Sequence, residues 1–117
     1  MMRNDKENII VNRTFDFALQ IIEFSELFFE QKRFSLANQI FKSGTSIGAN
    51  VREAQNTESK ADFIHKMKIS AKEADEVEYW LLLCENSPHL LSPKEEVFED
   101  LKAIQLILSK IISTSKS

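Results

Sequence analysis

The chain is poor in the residues that punctuate or staple a fold, with two glycines, two prolines and one cysteine among 117 residues. So little Gly and Pro leaves almost no material for hairpins, and Leu, Ile, Lys, Glu and Ala dominate, which is the composition of an all-helical chain. A lone cysteine, Cys84, excludes an internal disulfide framework and fits a reducing compartment. No run approaches the roughly 18 apolar residues of a membrane span, and the opening MMRNDKENII has no apolar signal core. These absences point to a soluble, cytoplasmic protein with no membrane partner. The length fits one domain over residues 1–117.

Both glycines fall in one stretch, Ser35 to Ala54, whose middle (Ser43 to Asn50) is small and polar although the stretch reads as a helix. Glycine inside a helix costs roughly 1 kcal/mol against alanine, so Gly44 and Gly48 mark a face that another backbone approaches closely. Leu36, Ile40, Ile47, Val51 and Ala54 form the apolar stripe of this helix. Beside it Ser43, Ser46, Asn50 and Glu53 recur at 3–4 spacing as a polar row, expected to form an interhelical hydrogen-bond seam.

Three further helices flank it. Residues 1–13 read as a loosely ordered lead-in, and a first helix begins near Asn12 or Thr14, either of which can cap it. This helix carries two apolar stripes about 100° apart, Phe15, Ala18, Ile22 and Phe29 on one and Phe17, Ile21, Phe24 and Phe28 on the other. One stripe docks a helix in a bundle. The second is in excess, and Phe17, Ile21, Phe24 and Phe28 are the candidate subunit interface. After the turn Lys32-Arg33-Phe34, Ser35 is placed to cap the second helix. Ser59-Lys60-Ala61-Asp62 is a capping-box start for the third, which repeats Phe63, Met67, Ser70, Ala74, Val77, Leu81 and Cys84 at heptad spacing. Ser92-Pro93-Lys94-Glu95 opens the fourth, with Val97, Leu101, Ile104, Leu108 and Ile111, ending in a frayed tail at 113–117. Short turns predict an antiparallel up-down-up-down four-helix bundle. With the second turn centred near Thr57–Glu58, Ser46 faces Ser70, and Asn50 faces Lys66 and Met67.

The net charge of −3 is unevenly spread: residues 32–72 hold eight Lys/Arg against three Asp/Glu, and residues 73–100 one against nine. Lys42, Arg52, Lys60, Lys66, Lys68 and Lys72 are therefore the candidate polyanion contacts. No catalytic constellation, cofactor motif or metal site emerges, and no small-molecule substrate is expected. Gly44 to Asn50 lacks the Gly-Lys-Ser/Thr of a phosphate loop. Asp62-x-x-His65 stands alone where a di-iron bundle needs paired Glu-x-x-His motifs. Cys84 has no histidine placed to activate it, His65 is expected at the surface, and Glu53 suits a structural acceptor.

Lys42-Ser43-Gly44-Thr45-Ser46-Ile47-Gly48-Ala49-Asn50-Val51-Arg52-Glu53-Ala54, then Ser59-Lys60-Ala61-Asp62-Phe63, then Lys72-Glu73-Ala74-Asp75-Glu76 and Tyr79-Trp80-Leu81, resembles the bacterial 23S rRNA-intervening-sequence proteins. Asn8-Ile9-Ile10-Val11 and Phe17-Ala18-Leu19 extend the resemblance over nearly the whole chain. The resemblance implies an antiparallel four-helix bundle assembled as a ring-like homo-oligomer, with homopentamers among the relatives, and no established catalytic activity. A related accessory protein of diversity-generating retroelements is strongly basic and engages nucleic acid and a reverse transcriptase. This chain departs from it in being acidic overall. Two expectations result. The first is a non-enzymatic homo-oligomeric scaffold or accessory protein associated with RNA. The alternative is an adaptor that binds a protein partner through its acidic third and fourth helices.

Overall fold

The computed structural model describes residues 8–116. They form four helices, α1 (Ile9–Glu30), α2 (Phe34–Ala54), α3 (Lys60–Asn86) and α4 (Glu95–Lys116), with no strand among the described residues. α1 begins earlier than the Asn12 or Thr14 expected. The Asn8 side chain accepts from the Val11 N–H at 3.3 Å and caps the helix, while Ile10 and Val11 extend its buried face. Thr14 is buried mid-helix, and its hydroxyl donates back to the Ile10 carbonyl at 2.8 Å. Residues 9–13 are thus helix, not lead-in, and 1–7 lie outside the described residues.

α1 ends in a Schellman closure. Lys32 sits in the left-handed region (φ 61°), its N–H donates to the Phe29 carbonyl at 3.0 Å, and the Arg33 N–H donates to Phe28 at 2.9 Å. The chain re-enters a helix at once, with the Arg33 carbonyl accepting from Ala37 N–H at 3.0 Å, so Arg33 and not Ser35 is the N-cap of α2. Ser59 caps α3 as its spacing predicts, accepting from Asp62 N–H at 3.1 Å. α4 begins at Glu95, three residues past the Ser92 cap expected, and continues through Lys116. The expected fray at 113–116 is helix, and Ile112, Ser113 and Lys116 line a groove shared with Ala71 of α3. Residue 117 lies outside the described residues.

Each helix packs against its chain neighbours, and α4 closes back on α1. Among the described residues the backbones of α1 and α3, and of α2 and α4, do not come within 8 Å of each other between Cα atoms. The α1–α2 and α2–α3 seams are the most closely packed and α1–α4 the loosest, so α2 is the centre of the assembly in a body of 46 × 22 × 21 Å. Across α2–α3, Ile47 meets Ser70 and Glu53 meets Lys66, so partners move in opposite sequence directions. Asn8 bonds Gln55 at 2.9 Å, bringing the start of α1 to the end of α2. Arg33 bonds the His89 carbonyl at 3.2 Å, bringing the first turn to the last loop.

Candidate functional surface

The small-residue face of α2 lies against α1. A Cβ built on Gly44 overlaps the fully buried Ile21 side chain, and one on Gly48 would sit 3.2 Å from the Thr14 carbonyl and hydroxyl oxygens. Both positions thus press on α1.

The polar row of α2 is mostly not the interhelical seam its spacing suggested. Ser43 donates to the Gln39 carbonyl at 2.6 Å, Ser46 to Lys42 at 2.6 Å and Asn50 to Ser46 at 2.8 Å, all within α2. Short hydroxyl and amide side chains in a helix reach the carbonyl one turn back more easily than a neighbouring helix. Two bonds do cross to α3: the Ser70 hydroxyl to the Ile47 carbonyl at 2.8 Å, and the Lys66 ammonium to Glu53 at 2.7 Å.

The stripe expected to form a subunit interface is instead part of the core. Phe17, Ile21 and Phe28 are fully buried and Phe24 nearly so, forming the α1 contribution to the chain's own core. They cannot present a surface. Of the other stripe Phe15 is exposed, whereas Ala18, Ile22 and Phe29 are half-buried; Leu19, which belongs to neither stripe, is exposed as well. Phe15 and Leu19 are 57% and 50% exposed, and across the seam Phe34 and Phe41 of α2 are 55% and 40% exposed. Of these four, Phe15 lines a cavity of about 170 Å³ together with Thr14, Ala18, Thr45, Ala49 and the charged Arg52. The signal was present in the sequence as two stripes. Spacing alone did not say which one α2 covers.

Of the basic residues, Lys42, Arg52, Lys60, Lys68 and Lys72 are exposed, and Lys66 is half-buried in its ion pair with Glu53. The fold adds Arg13, Lys110 and Lys116 to the end that holds Arg52, Lys60, Lys66 and Lys68, whereas Lys42 falls in the other half. Residues 8–19, 44–73 and 105–116 make one half, with eight Lys/Arg against five Asp/Glu. Residues 20–43 and 74–104 make the other, with five against eleven. The molecule is therefore polarised along its long axis. At the boundary, desolvation and then the neighbouring Glu76 raise the Glu73 carboxyl above its ordinary range, with Lys42 and Lys72 opposing.

Cys84 is buried, and desolvation pushes its thiol up to about 11, so it carries negligible thiolate at neutral pH. His65 and His89 are exposed. No group of three potential metal ligands occurs among the described residues, and none of the described helices is long and apolar enough to cross a membrane.

With the small-residue helix, the heptads of α3 and α4 and the four-helix closure in place, the chain matches a family model, 23S rRNA-intervening sequence protein, over residues 6–114. The chain belongs to that family. A crystal structure of a Bacteroides thetaiotaomicron protein with unknown function, from the S23 ribosomal protein family, is 41% identical with a TM-score of 0.78. The match covers 88% of this chain and 97% of that one. No curated protein matches significantly. As a 23S rRNA-intervening sequence protein the chain keeps the bundle of that relative.

Proposed function

We propose that the chain is a non-enzymatic, cytoplasmic scaffold: an antiparallel up-down-up-down bundle that associates with copies of itself and contacts nucleic acid with its basic half. The observation that carries the reading is that Phe15 and Leu19 of α1 and Phe34 and Phe41 of α2 stand largely exposed to water. Large apolar side chains left exposed on two adjacent helices mark an interaction surface. The face is built from the same two closely packed helices, so it is rigid enough to repeat around a ring such as a homopentamer. The nucleic-acid part rests on the family's description and on Lys60, Lys68 and Lys72, exposed on one helix.

Light scattering at micromolar concentration should give several times the 13.5 kDa chain mass, and Phe15→Glu with Leu19→Glu should return it to the monomer. A wild-type monomer overturns the assembly. For RNA, a low-salt gel shift of a structured transcript, lost on Lys68→Glu with Lys72→Glu, is expected. No retardation removes that part alone.

A further inference from the structure

The α1–α4 seam is the loosest of the four, and in the acidic half it opens into a cleft of about 270 Å³ lined by Gln20, Glu23, Phe24, Leu27, Lys94, Glu96 and Val97. Its lining is of two kinds. Phe24 and Val97 make an apolar floor with Leu27 at the rim, while Glu23 from α1 and Glu96 from α4 bring carboxylates from both helices. Next to it Gln20 donates from Nε2 to Asp100 Oδ2 at 2.9 Å, and its Oε1 is a fully buried acceptor with no hydrogen-bond partner.

Two carboxylates brought to one cleft from different helices repel each other, and a buried acceptor left unbonded costs free energy. Lys94, the one cation in the lining, leaves the carboxylates in excess. Local rules broken without internal compensation tend to mark sites that are completed from outside. A group that fits the cleft has an aliphatic stem for the floor and a positive head for Glu23 and Glu96. Lysine and arginine side chains have that form. The surrounding half of the bundle, with eleven carboxylates against five cations, would draw a basic segment toward the cleft over the last 10 Å or so of approach.

We propose that the α1–α4 cleft is a docking site for a lysine- or arginine-bearing segment of a protein partner. The site lies between the first and fourth helices rather than the third and fourth, and it is separate from the apolar α1–α2 face. It does not depend on self-association.

The test uses the full chain and a fluorescein-labelled oligolysine peptide, followed by fluorescence anisotropy at low and physiological salt. Wild type should saturate at low salt. Glu23→Gln with Glu96→Gln should weaken binding roughly tenfold or more, as two charge-assisted contacts are lost. Glu76→Gln with Glu85→Gln, an equal charge change at exposed positions of α3, should alter it about twofold or less. Leu27→Lys, which places a cation of the chain's own at the half-exposed rim, should compete with the peptide and weaken it similarly, with helicity by circular dichroism unchanged. Equal losses from both Glu pairs would reduce the effect to a diffuse field and overturn the site, as would a wild type that never saturates. The light-scattering mass of each variant should stay that of wild type. A failed peptide assay therefore leaves the self-association reading standing, and a monomeric wild type leaves this one.

Discussion

Ser70 of α3 donates its hydroxyl to the carbonyl oxygen of Ile47 on α2 at 2.8 Å, and both side chains are fully buried. A helix backbone is reached this way only when the helices are close, so the bond reports the tightness of the α2–α3 seam. Ser70→Ala removes it with little change in volume and should cost about 1 kcal/mol. Ser70→Leu adds bulk in the same seam and should cost about 1–3 kcal/mol. Urea unfolding at fixed protein concentration measures both, and equal midpoints for Ser70→Ala and wild type would show that the bond adds no net stability.

On the opposite seam, Gly44→Ala sets two effects against each other. Alanine is favoured over glycine in a helix by roughly 1 kcal/mol. Its methyl, however, would overlap the Cγ atoms of Ile21, a β-branched and fully buried side chain with little freedom to move. Packing should win, with a net loss of about 1–2 kcal/mol. Ile21→Ala in the same background relieves the overlap. The double variant should therefore fall short of the sum of the single losses by about 1 kcal/mol. Additive losses would show that the two do not press on one another.

The Gly44–Ile21 contact also explains what the sequence could and could not say. The heptads of α3 were legible because Ser59 starts them and nothing competes with the pattern from Phe63 to Cys84. The double stripe of α1 was not. Spacing yields two equivalent faces, and choosing between them requires knowing that Gly44 meets Ile21 and Gly48 meets Thr14, which depends on three-dimensional register. Ser43, Ser46 and Asn50 misled for a related reason, since their spacing fits a seam but a carbonyl one turn away takes the bond first. Charge was legible by segment only. The end-to-end polarity appears when Arg13, Lys110 and Lys116 are folded onto the end that holds Lys60 and Lys68.

At the first turn, Lys32 holds φ 61° in a position that glycine usually fills. A side chain there costs about 1 kcal/mol in backbone strain, partly offset by the extra freedom glycine has when unfolded. Lys32→Gly should therefore stabilise the protein by about 0.5–1 kcal/mol, raising the melting midpoint by a few degrees. Lys32→Val, β-branched in the same conformation, should lower it. A drop for the glycine variant would mean the Lys32 side chain makes a contact worth more than the strain.

Cys84 links burial to pH. Its thiol is held up at about 11 by desolvation, whereas an unfolded cysteine ionises near about 8.5. Below that lower value both states keep the proton and stability does not respond to this group. Between the two, the unfolded chain loses its proton while the native one retains it, so the unfolded state gains and stability falls as pH rises. Unfolding midpoints measured from about pH 7 to 10.5 should decline in wild type and decline less in Cys84→Ala, even though the alanine variant starts lower for lack of the buried sulfur. The native thiol should also react far more slowly with a disulfide reagent at pH 8 than the urea-unfolded chain does. Parallel pH profiles for the two proteins, together with fast native labelling, would place the thiol in contact with water and remove it from the core of α3.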